Sequence, residues 1–455
     1  MLAPNFFPLR LTPFEEYMLL DSRPVYPMSC FIVLNLEGEL RITPFENALQ
    51  KTLEKHPLLN CSVDETAKNR FFWQPNRRKI EILRSGRDAC RKLPRTKGID
   101  LFREPALKIT LCNEKPDSAE VFSGKTEVVF ETHHSACDGS GMSRFIEDLL
   151  YEYAFPNQSP KRQPVETERL RHRNQFGLSF LETIRNLPKQ CGGFRRAWLF
   201  FAHKIMPLTA EIPKTNGNEP AEDFPAVVSC ELSEEQTQNV RRNTKQQGIT
   251  LNDMLLCGTF DAVKSLQEAK SITEKGFIRI AVPTNLRTPE DASLPAANKV
   301  SMVFIDRKRK DIQQTGRFYR LVHQEMQHIK HCRLGWAFIH GLTVYKWLFG
   351  SIRNMVRREC CWATATVSNL GILFDTAELP VQHGRIKLDD TLEMTGAETV
   401  PPIRCGTSLG ICAFTCMNKL KICIHYDAGV LIKDDAEAVL RRLYRLLTEN
   451  NGNSP

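Results

Sequence analysis

Two adjacent histidines, His133 and His134, are followed by Ser135, Ala136, Cys137 and then Asp138 and Gly139. A histidine with an unperturbed pKa of about 6.5 accepts a proton at neutral pH, which is what an alcohol or amine needs in order to attack an acyl carbonyl. Asp138 is close enough in sequence to orient such a ring. Spacing alone leaves an equal alternative, in which both histidines are strand-end residues with satisfied hydrogen bonds. Cys137, held between His134 and Asp138, reads as a small buried hydrophobe rather than a thiol nucleophile. No metal site is expected. His323, His328, His331 and Cys332 have offsets that do not bring all four to one helical face, and Cys360 and Cys361 lack ligand spacing.

The residues before and after the motif must place it. Thr126 to Thr132 reads as a strand, and its two-residue period sends His133 and His134 to opposite faces, so only one of them can serve a given cavity. Met142, Phe145, Ile146, Leu149 and Leu150 recur at helical spacing just beyond Gly139. Strand, polar turn and helix follow one another through the motif.

The same alternation runs along the chain. Phe31 to Glu37 predicts a strand, Thr43-Pro44-Phe45-Glu46 a capping box opening a helix, and Pro57 a stop near His56. Ser233 to Gln236 and Thr250 to Asp253 predict two more helix starts, with Gly248 ending the first of these helices. Strands are expected at Phe277–Val282, Val300–Ile305, Ala363–Val367, Leu409–Phe414 and Leu420–Ile424. A last helix carries Val439, Leu440, Leu443, Leu446 and Leu447. The polar stretch Lys214 to Pro220 suggests a linker. The expected architecture is two α/β domains: residues 1–190 carrying the motif, a crossover at 191–225, and residues 226–455.

With 455 residues, 42% hydrophobic and 25% charged, the chain has the balance of a soluble globular protein. Its net charge of +9 is spread along the chain and does not select nucleic acid over a phosphate-bearing cofactor. The arginine-rich segment Gln158 to Arg173 reads as a solvated crossover rather than a nucleic-acid stripe. Fifteen cysteines without Cys-x-x-Cys spacing, and a start lacking a basic-then-apolar run, predict reduced thiols and a cytoplasmic location. No apolar run reaches the roughly 20 residues of a membrane span. The aromatic and basic stretch Phe194 to Leu208 reads as helix packing, with peripheral membrane contact left open.

The motif His133-His134-x-x-x-Asp138-Gly139 resembles the HHxxxDG signature of the chloramphenicol-acetyltransferase-like superfamily, shared by condensation domains, alcohol acetyltransferases and wax ester synthases. Pro8 to Thr12, His56 to Leu59, Pro283-Thr284-Asn285-Leu286-Arg287 with Asn298, Ser368-Asn369-Leu370-Gly371 and Tyr426-Asp427 are similar to further family segments, in the same order. The likeness spans nearly the whole chain. The plant branch's Asp-Phe-Gly-Trp-Gly motif is absent, and Cys137 stands where a smaller residue is usual.

The resemblance implies a monomeric pseudo-dimer of two similar subdomains with an active-site tunnel between them. It implies His134 as catalytic base and Asp138 as the second catalytic residue of the motif, fixing the turn that carries His134, with His133, Gly139 and Arg287 as structural residues at the site and Arg287 as the partner of Asp138. Ser368 and Asn369 either line the tunnel and donate to an oxyanion or simply end a strand. No bound cofactor is implied. Acyl-CoA or a phosphopantetheinyl acyl-carrier protein, supplied in trans, serves as co-substrate, with a small-molecule alcohol or amine as acceptor and no nucleic-acid partner. A catalytically inactive condensation-like module that binds a carrier or ligand without turnover is the alternative.

Overall fold

The computed structural model describes residues 6–68, 70–86, 93–114, 120–175, 199–209, 217–313, 315–375 and 378–449. Strand β1 (Leu9–Arg10) leads to helix α1 (Pro13–Asp21), started by a complete capping box between Thr12 and Glu15. Strand β2 (Ser29–Arg41) passes directly into helix α2 (Ile42–Lys55), which no side chain caps, although the sequence offers a capping box at Thr43–Glu46. The sheet overrides that local signal. Strand pairing continues to Arg41 and the Ile42 N–H donates to the Glu120 carbonyl, so the ladder itself sets where the helix begins. Pro44 falls in the first turn, where its missing N–H removes no helix bond. The helix stops at His56, ahead of Pro57, and buries Phe45, Ala48, Leu49 and Leu53.

Strands β3 (Cys61–Glu65), β4 (Phe71–Pro75), β5 (Ile82–Gly86), β6 (Leu107–Asn113) and β7 (Val121–His133) follow, and then α3 (Gly139–Ala154). The helical stripe beyond the motif packs as its spacing predicts: Met142, Phe145, Ile146, Leu149 and Leu150 are all buried. The segment after α3 departs from the solvated crossover suggested by its charge. Arg162 is buried against Glu147 and Asp148 of α3 at 2.6 Å each, and Arg173 against Glu15 of α1 at 2.7 Å. Carboxylates on two helices meet these arginines, and charge density along the chain cannot reveal partners so distant in sequence.

The second half contains β8 (Ala226–Glu231), α4 (Glu234–Gln246), α5 (Leu251–Ala269), β9 (Phe277–Asn285) and β10 (Val300–Lys308). Next come α6 (Gly316–His331), α7 (Trp336–Phe349), α8 (Arg353–Val356) and β11 (Ala365–Ile372). Strands β12 (Val381–Gln382), β13 (Arg385–Lys387), β14 (Leu392–Val400), β15 (Leu409–Cys416) and β16 (Lys419–Tyr426) precede α9 (Lys433–Glu449). Both capping boxes read from the sequence of this half, at Ser233 and Thr250, are formed.

Two large sheets organise the chain. One runs β12-β13-β14-β2-β7-β6-β5, the other β10-β9-β11-β15-β16-β8, and a small sheet holds β1-β4-β3. Each large sheet has its own apolar cluster, built on one side around residues such as Leu34, Phe130 and Phe145, on the other around Phe260, Ile280 and Ile422. The division is not strictly sequential. Strand β14 pairs with β2 from Val400↔Phe31 to Leu392↔Gly38, so residues late in the chain complete the first sheet.

Of the stretch Phe194–Leu208, residues up to 198 lie outside the described part. Beyond them, Phe200 stacks on Trp362 with ring centroids 5.2 Å apart. Among the described residues no helix is long and apolar enough to cross a membrane.

Candidate active site

Strand β7 ends at His133, which pairs with Ser29 at the start of β2. His133 is buried, its Nδ1 accepts from the Ser135 N–H at 3.2 Å, and its carbonyl accepts from the Ala136 N–H at 3.0 Å. Burial, with His134 alongside, pushes its pKa down to about 3, so the ring stays neutral. These bonds make His133 a structural part of the turn.

His134 is half-buried. Its N–H donates to the Met28 carbonyl at 2.8 Å, and its carbonyl accepts from Asn298 Nδ2 at 2.6 Å. Asn298 Nδ2 also lies 3.5 Å from His134 Nδ1, so the Nδ1 edge of the ring faces the backbone and the Asn298 amide. Burial lowers the His134 pKa, while hydrogen bonds to the backbone of His134 itself and of Cys137 and the charge of Asp138 act the other way. The net direction is downward. A neutral imidazole is equipped to take a proton.

Asp138 does not touch that ring. Its carboxylate is shared by three donors: Gly141 N–H at 2.8 Å on Oδ1, and Lys299 N–H and Arg287 Nη1, each at 2.7 Å, on Oδ2. The first bond makes Asp138 the N-cap of α3, and the other two tie the turn to the second half of the chain. Burial alone would raise this carboxyl. The Arg287 guanidinium and the backbone N–H groups outweigh it and hold the group below the usual carboxylate range. Asp138 thus positions the turn from which His134 projects.

Arg287 follows β9, and Ala297 to Lys299 lead into β10, so the antiparallel pair β9–β10 brings both to the motif. Leu286 N–H donates to the Lys299 carbonyl at 3.0 Å, and Arg287 Nη2 to the Ala297 carbonyl at 3.0 Å, which stiffens this approach. The two glycines of the turn differ in how tightly they are held. A Cβ on Gly139 would come within 2.7 Å of the flexible Leu370 side chain. One on Gly141 would meet Cys137 Sγ at 2.8 Å and the Ala297 backbone N and O at 2.9 Å. Gly141, which the motif reading passed over, is therefore the glycine on which the contact between the halves depends. Sequence holds a hint of it in the second glycine of Asp138-Gly139-Ser140-Gly141.

Ser368 and Asn369 lie on β11, both half-buried, just before the Leu370 that covers Gly139. Asn369 Oδ1 accepts from Gly371 N–H at 3.0 Å, a turn-forming bond, and Ser368 bonds Cys412 of β15. Cys137 is buried and its thiol is pushed far up by burial, as befits a packed hydrophobe rather than a thiolate. His56 adds a link that spacing could not show. Its ring bonds Asp148 of α3 at 2.8 Å through Nε2 and accepts from Ala296 N–H at 2.8 Å through Nδ1, which fixes the loop before Asn298.

A cavity of about 310 Å³ is lined by Val25, Tyr26, Gly217, Phe224, Ile403 and Asp427, among others. His134 is not among its walls. Among the described residues no group of three or more His, Cys, Asp or Glu side chains is arranged to hold a metal ion, and His323 pairs with Asp253 at 2.7 Å.

This two-sheet arrangement, with the motif histidine where the halves meet, has the fold seen in solved condensation domains and in an O-acetyltransferase. Trichothecene 15-O-acetyltransferase from Fusarium sporotrichioides superposes with a TM-score of 0.69 at 12% identity, over 96% of this chain and 94% of that one. The first condensation domain of the calcium-dependent antibiotic synthetase gives 0.66 at 13% identity, over 98% and 96%. The starter condensation domain of rhizomide synthetase, in a structure with C8-CoA, gives 0.66 at 12% identity, over 98% and 96%. No protein-family model matches the sequence, and no curated protein matches it.

Proposed function

We propose that the chain is an acyltransferase that moves an acyl group from a thioester donor, acyl-CoA or an acyl-carrier protein, to an alcohol or amine. The observation that carries this reading is His134: a half-buried ring held neutral by burial, on a turn clamped from both halves by Asp138, Arg287 and Asn298. Donor and acceptor meet at this ring through a tunnel between the halves.

His134 Nε2 takes the proton from the acceptor as its oxygen or nitrogen forms the new bond to the thioester carbonyl carbon. The carbonyl electrons move onto oxygen, giving a tetrahedral oxyanion, which Ser368 or Asn369 stabilises as a hydrogen-bond donor. Collapse breaks the carbon–sulfur bond, and the departing thiolate recovers the proton from His134. Asp138, His133, Gly139 and Arg287 hold the geometry without touching the reacting atoms.

The test offers the purified chain a panel of acyl thioesters with alcohol and amine acceptors, and follows thiol release. Acceptor-dependent release is the expected result. Thioester binding without release under any pairing would show a binding module instead.

A further inference from the structure

One side of α7 packs onto α1 and β10 and buries Trp336, Ile339 and Leu342. A neighbouring face presents His340, Val344, Trp347 and Leu348, an i, i+4, i+7, i+8 set, all exposed. Val344 is 53% exposed, Trp347 81% and Leu348 60%, and the next residue, Phe349, is 66% exposed. Successive helix residues are about 100° apart, so three large apolar side chains exposed in a row mean that the helix end projects from the body. Gly350 closes it in the left-handed conformation, with nothing within 4 Å of where its Cβ would be. The ring of Phe349 rests against Tyr345, with centroids 4.5 Å apart, so the tip is ordered though exposed.

Cations lie within the tip and shortly after it in the chain. Lys346 lies within it, paired to Glu16, and Arg353 follows on α8, paired to Glu65 at 2.9 Å. Arg357 and Arg358 come next and are exposed. The four apolar residues offer roughly 500 Å² when their exposures are scaled to full side-chain areas. That exceeds a scattered surface hydrophobe but falls below the roughly 800 Å² per partner of a stable protein interface. A protruding apolar tip with a tryptophan, followed in the chain by two exposed arginines, suits a bilayer surface, where a few inserted side chains and headgroup attraction suffice for reversible binding.

We propose that the end of α7 docks the protein onto a lipid bilayer bearing anionic headgroups. Trp347, Leu348 and Phe349 enter the headgroup–acyl boundary, and Arg357 and Arg358 face the headgroups. This surface is independent of the chemistry assigned to His134.

The test is flotation of the full chain with vesicles of phosphatidylcholine alone and with about a third phosphatidylserine. The wild type should float with the anionic vesicles, weakly with the neutral ones, and detach as salt rises. The double variant Trp347→Ser, Phe349→Ser should lose about tenfold or more of its partitioning. Arg357→Ser with Arg358→Ser should lose about 25-fold, near fivefold per cation. Unchanged melting temperatures would show both variants folded. Flotation of neither vesicle, equal binding to both, or wild-type partitioning in the tryptophan variant would overturn the proposal. So would a wild-type dimer in sedimentation velocity that this variant converts to monomer, or capture of an acidic acyl-carrier protein in place of vesicles. Those last outcomes would assign the face to a second copy or to the carrier.

Discussion

At the scale of single residues, two neighbouring histidines receive opposite treatment. Alternation at the end of β7 sends His133 into protein and leaves His134 at the seam, half-buried. On the proposed chemistry, His134→Ala should reduce acceptor-dependent thiol release by roughly 100- to 10,000-fold, with melting temperature near that of the wild type. The wild-type pH profile of kcat/KM should be flat near neutrality and fall on acidification. Its inflection should lie below the ordinary histidine value of 6.5, because the His134 pKa is lowered. Turnover unchanged in the alanine variant would remove His134 from the chemistry. His133 should instead appear in stability. Its folded pKa of about 3 lies below the ordinary 6.5, so the unfolded chain binds the proton first. Stability from this group is full above 6.5 and is lost as pH falls toward 3, at up to about 1.4 kcal/mol per pH unit. Melting temperatures measured between pH 7 and 5 should therefore fall less steeply in His133→Asn than in the wild type.

At the scale of elements, the turn between β7 and α3 is held by a loop from the far half of the chain. Replacing Asp138 with Ala removes the cap of α3 and leaves Arg287 without its carboxylate. The expected loss is about 3 to 5 kcal/mol in denaturant unfolding, since Asp138 is fully buried and Arg287 largely so. Asp138→Asn keeps the shape and should fall between this variant and the wild type. A loss under about 0.5 kcal/mol for Asp138→Ala would mean that the pair is solvated and the clamp weak. The glycines give a second test at this scale. Gly141→Ala forces a methyl against the Ala297 backbone and should destabilise by about 1 to 3 kcal/mol, whereas Gly139→Ala meets only a movable leucine and should cost less. Equal effects at the two positions would contradict the close backbone approach at Gly141.

At the scale of the whole molecule, the second half of the chain lends strands to the first sheet. A fragment ending at residue 190 contains the histidine motif and most of the first sheet, yet it lacks β14. The β2 edge from Phe31 to Gly38 would then be an open row of backbone donors and acceptors. Such a fragment should aggregate or fail to give the cooperative melt of the full chain, as read by circular dichroism and size exclusion, and adding the 378–403 peptide should partly restore it. A soluble, cooperatively melting fragment would show that β14 is dispensable.

Periodicity was enough to find what depends on near neighbours. The strand before the motif, the buried stripe Met142 to Leu150, the stop at Pro57 and the capping boxes at Ser233 and Thr250 all rest on contacts a few residues apart. The motif itself, through its resemblance, pointed to the fold. What sequence spacing could not show involves partners hundreds of residues away. It missed Arg162 and Arg173 buried against helix carboxylates, Asn298 on the His134 carbonyl, Gly141 against Ala297, and β14 crossing into the first sheet. At Thr43 the local signal was even overridden, because the β2–β7 ladder set the helix start before any cap could. Local patterns determine which elements form. Which polar groups those elements bury together depends on how the sheets pack, and that packing exists only in three dimensions.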